Sequence, residues 1–296
     1  MRAYIGNVQM RMPMTIAPNL PTVSTSPALL TSRAVLRLSG RDCRTWLQGL
    51  VTSDVETLES QQARFAALLT PQGKIIADFI VVRDGDSLLL DCDQAIAPTL
   101  AKRLAIYKLR ADVAIADVSS QLAVAVFWNA EPPAVSQGVV FADPRDAALG
   151  WRMIAPPAEL DTFGADPESA DSWHAHRIAL GVGEGDVDFP YGDTFPHEAN
   201  MDLLHGVDFK KGCYVGQEVV SRVEHRGNAR KRIAKVIYDG AAPPAGTEIV
   251  ANGVAIGIAG SHAGATGLAL MRIDKADDAL AAGHAMSANG VSLRRA

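Results

Sequence analysis

The 296-residue chain reads as an α+β protein built on antiparallel sheets, with a small β-barrel at its C-terminal end. Three observations predict this. Strand-like runs "FAALLT", "KIIADFIVVRD" and "SLLLDCD" follow one another across "PQG" (71–73) and "DGD" (84–86) turns, which makes a meander. Helical patterns interleave with strands but lack regular βαβ spacing, and no GxxxxGKS/T or GxGxxG phosphate loop occurs. After Arg232 the texture changes to short strands broken by "PPAG", "SHAGA" and "NG", the pattern of a small barrel.

Taken in order, residues 1–28 read as a disordered leader. The first 41 residues carry five arginines and no acid among many Ser, Thr and Pro. That composition fits either a transit peptide or a start placed too early, with Met12 or Met14 as the true beginning. "AVLRLSG" alternates as a half-buried strand does. "GRDCRTWLQGLVTSDV" predicts a helix capped by Asp42, with Trp46, Leu47 and Leu50 inward. After the meander, "QAIAPTLAKRLAIYKL" predicts a helix with Ile96, Leu100 and Leu104 on one face. "ADVAIADV" and "LAVAVFW" return to strand, and residues 131–172 read as loops with weak strands. "SWHAHRIALGVG" predicts a helix capped by Ser172 and ended by glycines. These elements place a core over 29–230 and the barrel over 231–296.

The bulk numbers exclude several classes. A formal charge of −5 argues against a protein that mainly coats nucleic acid. No apolar run approaches the ~20 residues a membrane-spanning helix needs. Three cysteines, Cys43, Cys92 and Cys213, form no CxxC pair and no disulfide framework, which points to a reducing cytoplasm.

Chemistry concentrates around "KKGCYVGQE" (210–218). Residues 210–235 hold eight basic groups against two acids, Glu218 and Glu224, in a chain that is acidic overall. Neighbouring cations favour a thiolate, and Gly212 and Gly216 permit sharp turns or close approach. Cys213 is therefore either a reactive, metal-seeking thiol beside an anion site or a small buried apolar residue. His197, His205 and Cys213 recur at intervals of eight, but zinc sites use tight ligand pairs that are missing here, so no resident metal is expected. Trp173 and Arg177 share a helix face, where an indole can stack a flat heterocycle while the guanidinium binds a carboxylate, or both can serve the core. Asp78 can accept from a ligand amine or face solvent.

"GVDFKKGCYVGQEVVSRVEHRGNARKR" (206–232) closely resembles the signature of the YgfZ family of folate-binding iron–sulfur cluster assembly proteins, which are related to the glycine cleavage T-protein. Lys211 to Glu218, Arg222, Gly227 and Arg230 to Arg232 match it. "WLQGLVTSDV", "LTPQGKIIADFIVVRDGD", "YKLRADVAI" and "EANMDLLHGVDF" agree in the right order, so the resemblance covers residues 29–296. "GVGEGDVDFP" is similar to the mitochondrial branch. The resemblance implies a T-protein-like cloverleaf of two interwoven ferredoxin-like α/β domains plus the C-terminal barrel. It also implies tetrahydrofolate at the centre, and Cys213 as an essential thiol that transiently binds iron or a cluster.

Under that resemblance, Asp78, Trp173, Arg177, Glu198 and Asn200 are expected in the folate pocket. Lys211, Tyr214, Gln217, Glu218 and Arg226 are expected to shape the cysteine loop or receive the folate tail. Expected partners are folate, the iron–sulfur assembly machinery and client enzymes, with neither membrane nor direct nucleic acid. The expected home is a bacterial cytoplasm, or the mitochondrial matrix if the leader is a transit peptide. Ala77 and Ala179 stand where the transferases keep acids, which argues against aminomethyl transfer. Arg33 stands where one bacterial branch places a folate-contacting tryptophan. A folate-dependent aminomethyltransferase and an RNA-binding or tRNA-modification factor are the competing readings.

Overall fold

The computed structural model describes residues 27–227 and 229–296, and of Arg226 only the backbone. The leader expectation therefore lies almost entirely outside the described residues. Among the described residues, nine strands and four α-helices precede the cysteine loop's own helix. They are β1 (Ala28–Leu29), β2 (Arg33–Ser39), α1 (Cys43–Gln48), β3 (Ala63–Leu69), β4 (Ile75–Asp84), β5 (Ser87–Asp93), α2 (Ala97–Lys108), β6 (Ala114–Asp117), β7 (Ala123–Phe127), β8 (Val139–Ala142), β9 (Trp151–Ala155), α3 (Pro157–Thr162) and α4 (Ala170–Leu180). Then come α5 (Gln217–Arg226), β10 (Lys231–Tyr238), β11 (Glu248–Ala251), β12 (Val254–Ala263), β13 (Thr266–Arg272), α6 (Ile273–Ala281), β14 (Met286–Ala288) and β15 (Val291–Arg295).

The first sheet runs β3-β4-β5-β2-β6, and its meander is antiparallel, with Phe65 opposite Ile80 and Phe79 opposite Cys92. Strand alternation sends Phe65, Leu69, Ile80 and Leu89 to one face and Leu68, Phe79, Val81 and Leu90 to the other. Both faces are buried. The second of these sets packs under α1 and α2 together with Leu47, Leu100 and Leu104. β2 is thus a central strand with Val35 on one core and Leu36 and Leu38 on the other, rather than half-buried.

The second sheet runs β1-β7-β9-β8. β1 lies at the beginning of the described chain yet pairs with β7, Ala28 opposite Val126, so the two sheets are interwoven. Val124, Val126 and Ile154 join the first sheet's inner core, while Phe127, Met153 and Leu160 of α3 make a smaller one outside. Strands β10-β13-β12-β11-β14-β15 close a barrel around Val236, Ile249, Met271 and Leu293. Its outer residues Ile233, Leu268 and Leu270 pack into the central core. No described helix is long and apolar enough to cross a membrane.

Three local readings change. Asp42 stands at the start of α1, but its carboxylate accepts from the Asp112 N–H at 2.8 Å instead of capping the helix. α4 begins at Ala170, two residues before Ser172, because a 3-10 turn over Pro167–Ser169 runs directly into it. Its end at Gly181, in the left-handed region at φ 81°, is as expected. Between the expected barrel strands lie β14, which completes the barrel, and α6, which packs Ala276 and Ala279 into its core.

Candidate functional site

The cysteine loop is stitched to the first sheet at both ends. On the entry side, Thr52 Oγ1 donates to the Gly206 carbonyl at 2.6 Å, and the Asp208 N–H donates to the Thr52 carbonyl at 2.9 Å. Asp208 Oδ1 then accepts from the N–H groups of Lys210 and Lys211. The Lys211 ammonium donates to the carbonyls of Gln48, Val51 and Ser53 at 2.8, 2.7 and 2.8 Å, just beyond the end of α1. Burial pulls that ammonium down to about 8, against the opposing pull of Asp54, Asp208 and Glu56. On the exit side, Gly216 adopts φ 83° at the start of α5, and a Cβ there would lie 2.6 Å from the Thr70 carbonyl oxygen. Only glycine fits that backbone against the β3–β4 turn.

Between these anchors Cys213 is exposed, whereas Cys43 and Cys92 are buried. Burial raises both buried thiols, Cys92 to about 12. Cys213 opens onto a cleft of about 350 Å³ shared with Pro71, Tyr214, Gln217 and Glu218. Tyr214 is itself buried, with its ring 5.3 Å from the Lys211 ammonium. The loop residues expected from the sequence thus come together. One role changes: the Lys211 charge is spent on three carbonyls rather than offered to the thiolate or to a folate tail. The Arg226 side chain lies outside the described residues.

Of the other expected residues, Trp173 and Arg177 lie among buried ion pairs. Asp91 takes Arg33 and Arg152, while Asp143 takes Arg152 at 2.9 Å and Arg145 at 2.7 Å. Burial opposes ionisation of Asp143, yet the two guanidiniums hold its carboxyl well below the usual range. Arg177 is buried and donates to Asp188 at 2.9 Å, the Val182 carbonyl at 3.0 Å and Ser261 at 3.2 Å, with Glu184 3.3 Å away. No donor of Arg177 is left to meet a ligand carboxylate through an open edge. Trp173 is 0% exposed and packed against Trp128 and His176, ring centroids 5.7 and 6.0 Å apart. Neither residue has an open face for a pterin, and both serve the core.

Glu198 and Asn200 lie where the core meets the barrel, and Glu198 also lines a cleft of about 310 Å³ with Phe195, Arg230 and Lys231. Glu198 Oε2 accepts from the Phe195 N–H at 2.9 Å, and its carbonyl accepts from Ile233 N–H of β10. Asn200 Nδ2 donates to the Ile233 carbonyl at 2.9 Å. Together they fasten the barrel to the core. Asp78 is buried rather than solvent-facing, and Tyr191, which the sequence reading missed, donates its hydroxyl to Oδ1 at 2.5 Å. Burial raises the Asp78 carboxyl, while Tyr191, Arg33 and Arg145 work against that rise. The "GVGEGDVDFP" stretch was the one signal near Tyr191 and Asp188.

His197, Asp202 and Glu224 bring ligand atoms within 4.8 Å of one another. Both Asp202 oxygens, however, accept from Arg232, and His197 Nε2 pairs with Glu224 at 3.1 Å. A cation would have to displace those partners, so the cluster is a charge-paired seam.

The model described as "CAF17, C-terminal beta-barrel domain" matches residues 230–295, and "GCVT N-terminal domain" matches residues 30–152. The iron–sulfur cluster assembly factor IBA57 of Homo sapiens is 30% identical over 83% of this chain and 77% of its own length. The chain belongs to the CAF17/IBA57-type family. The mouse member is 32% identical over 82% of this chain and 76% of its own. A Mycosarcoma maydis homolog is 37% identical over 74% of this chain and 59% of its own, so the chain spans about three-fifths of the length of such fungal relatives. The aminomethyltransferase T of Bartonella henselae superposes with a TM-score of 0.70 at 12% identity, over 90% of this chain and 84% of that one. That likeness shows a shared aminomethyltransferase fold.

Proposed function

We propose that this family member is an accessory factor for building or repairing iron–sulfur clusters on client proteins, with Cys213 as the thiol that handles iron or cluster in transit. The observation that carries this reading is the exposure of Cys213 on a loop pinned at both ends, while the other two thiols are buried. A single thiolate supplies one of the four ligands such clusters take, so the remaining ligands come from a partner in the assembly machinery or from the client. The cluster is cargo, and this chain's part is to hold one thiol still, accessible and unpaired. The relatives are named as assembly factors of mitochondria, and a reducing compartment suits three free cysteines. The test is to delete the gene and assay iron–sulfur enzymes: their activities fall together and return with the wild-type gene. Unchanged activities would refute the role.

The finer, YgfZ-like part of the reading is that a reduced folate binds near Asp78 without one-carbon transfer. Of the expected pocket, Trp173 and Arg177 do not fit such a ligand. Asp78 does, since its Oδ2 accepts none of the described hydrogen bonds and Arg33 and Arg145 act on it. When bound, the folate would bring a pterin amine for Asp78 to accept from and an anionic tail for the 210–235 cations. Calorimetry with tetrahydrofolate should give binding near micromolar, about −8 kcal/mol, lost in Asp78→Ala. Absence of heat at millimolar ligand would remove folate from the account and leave the thiol role standing.

A further inference from the structure

On the reading that Cys213 is the working thiol, we propose that Lys211 is a positioning residue whose ammonium locks the thiol loop to the end of α1, so that both move as one rigid unit. An ammonium has three N–H donors and no acceptor. Here each meets one carbonyl, those of Gln48, Val51 and Ser53, all between 2.7 and 2.8 Å. Carbonyls at and just past a helix end lack intrahelical donors, and a half-buried cation two residues from the thiol satisfies them.

The receiving turn is itself held. Gln48 Oε1 accepts from the Val55 N–H at 2.9 Å, and the Thr52 N–H donates to the Ala67 carbonyl of β3 at 3.1 Å. The lock therefore ties the loop to the first sheet through side-chain donors that no other described loop residue supplies. A guanidinium, planar and forked, cannot converge on three carbonyls around one point. The geometry thus demands lysine and not merely a positive charge. Gly212, on one side of the thiol, has open space where a Cβ would stand, while Tyr214 on the other side is packed into the core.

The experiment labels Cys213 of the full chain with a nitroxide, the buried Cys43 and Cys92 being inaccessible in the folded protein. Spectra are compared for wild type, Lys211→Met, Lys211→Arg, and Lys211→Ala with and without methylammonium. Wild type should show a broad, slow-motion line shape. Met and Arg variants should narrow it, and methylammonium should restore the broad shape to the Ala variant. Hydrogen exchange should accelerate ~10-fold or more in residues 48–53 and 210–215 together, with the barrel strands unchanged.

If Lys211→Met fails to fold, the Arg and Ala variants carry the same comparison. A Lys211→Arg spectrum identical to wild type would overturn the demand for an ammonium. Unchanged spectra and exchange in all variants would overturn the lock itself. Neither readout requires a cluster, so the lock can stand even if a Cys213→Ser chain proves functional in cells and the reading of the thiol falls.

Discussion

Glu184 lies 3.3 Å from the Arg177 guanidinium. Burial alone would raise its carboxyl, but Arg177, His174, Arg33 and Arg145 outweigh burial and hold it at about 2. A carboxyl depressed in the folded state stabilises the protein above its unfolded value, roughly 4.3. That contribution is lost as pH falls through the folded value. Glu184→Gln should therefore cost about 1–3 kcal/mol at pH 7, with the gap to wild type closing between about pH 4 and 2. Urea melts across that range measure it, and a gap independent of pH would place the stabilisation elsewhere. At this scale the sequence was legible where chemistry is local. Gly212, Gly216 and the flanking lysines draw the eye to the Cys213 loop but leave open whether the thiol is buried, and the structure shows it exposed. For Trp173 and Arg177, local sequence left a ligand role and a core role both open. Their i,i+4 spacing is visible, but the return of Asp188 to capture Arg177 is not.

Among the elements, the β3–β4 turn and α5 depend on each other through two glycines. Gly73 at φ 80° lies against Val219, where a Cβ would come within 2.9 Å of the valine's own. Gly216 meets the Thr70 carbonyl in the same way. Gly216→Ala should cost about 1–3 kcal/mol from backbone strain, with the clash adding to it, and should displace Cys213 without opening the barrel. Thermal melts give the first part and exchange at residues 70–73 and 213–217 the second. Stability and exchange equal to wild type would show that the loop tolerates a side chain there. The meander was readable because its turns announce themselves and its strands are long. α6 was passed over because its nine residues sit between two barrel strands, and so short a run reads as the loop that joins them. Asp42 shows the limit of a cap signal: the residue sits in the right place, but the Asp112 N–H is a competing donor from seventy residues away.

Across the whole molecule, the barrel is held to the core by polar seams as well as by Ile233, Leu268 and Leu270. Asp188 is one hub: it accepts from Arg177 and the Glu184 N–H on the core side, and from the N–H and hydroxyl of Ser261 on β12, both at 2.7 Å. Arg232 is the other, reaching the His197 carbonyl and Asp202. Asp188→Asn keeps the shape and removes the charge, so it should cost about 3 kcal/mol and expose β12 to hydrogen exchange before β4. Simultaneous loss of protection in both strands would mean that the seam does not set the order of opening. The barrel itself was legible from strand texture, and the interweaving was not. β1 is two residues long, and nothing in its sequence says that its partner is β7, almost a hundred positions on.

The central claim is that this scaffold exists to present one thiol. The measurement that tests it most directly is iron–sulfur enzyme activity in a deletion strain carrying the Cys213→Ser gene, with the variant's folding checked by melting. Serine leaves the backbone and the Lys211 anchor in place, so the account predicts a stable protein that fails to restore those enzymes. A stable Cys213→Ser protein that restores them fully would contradict it.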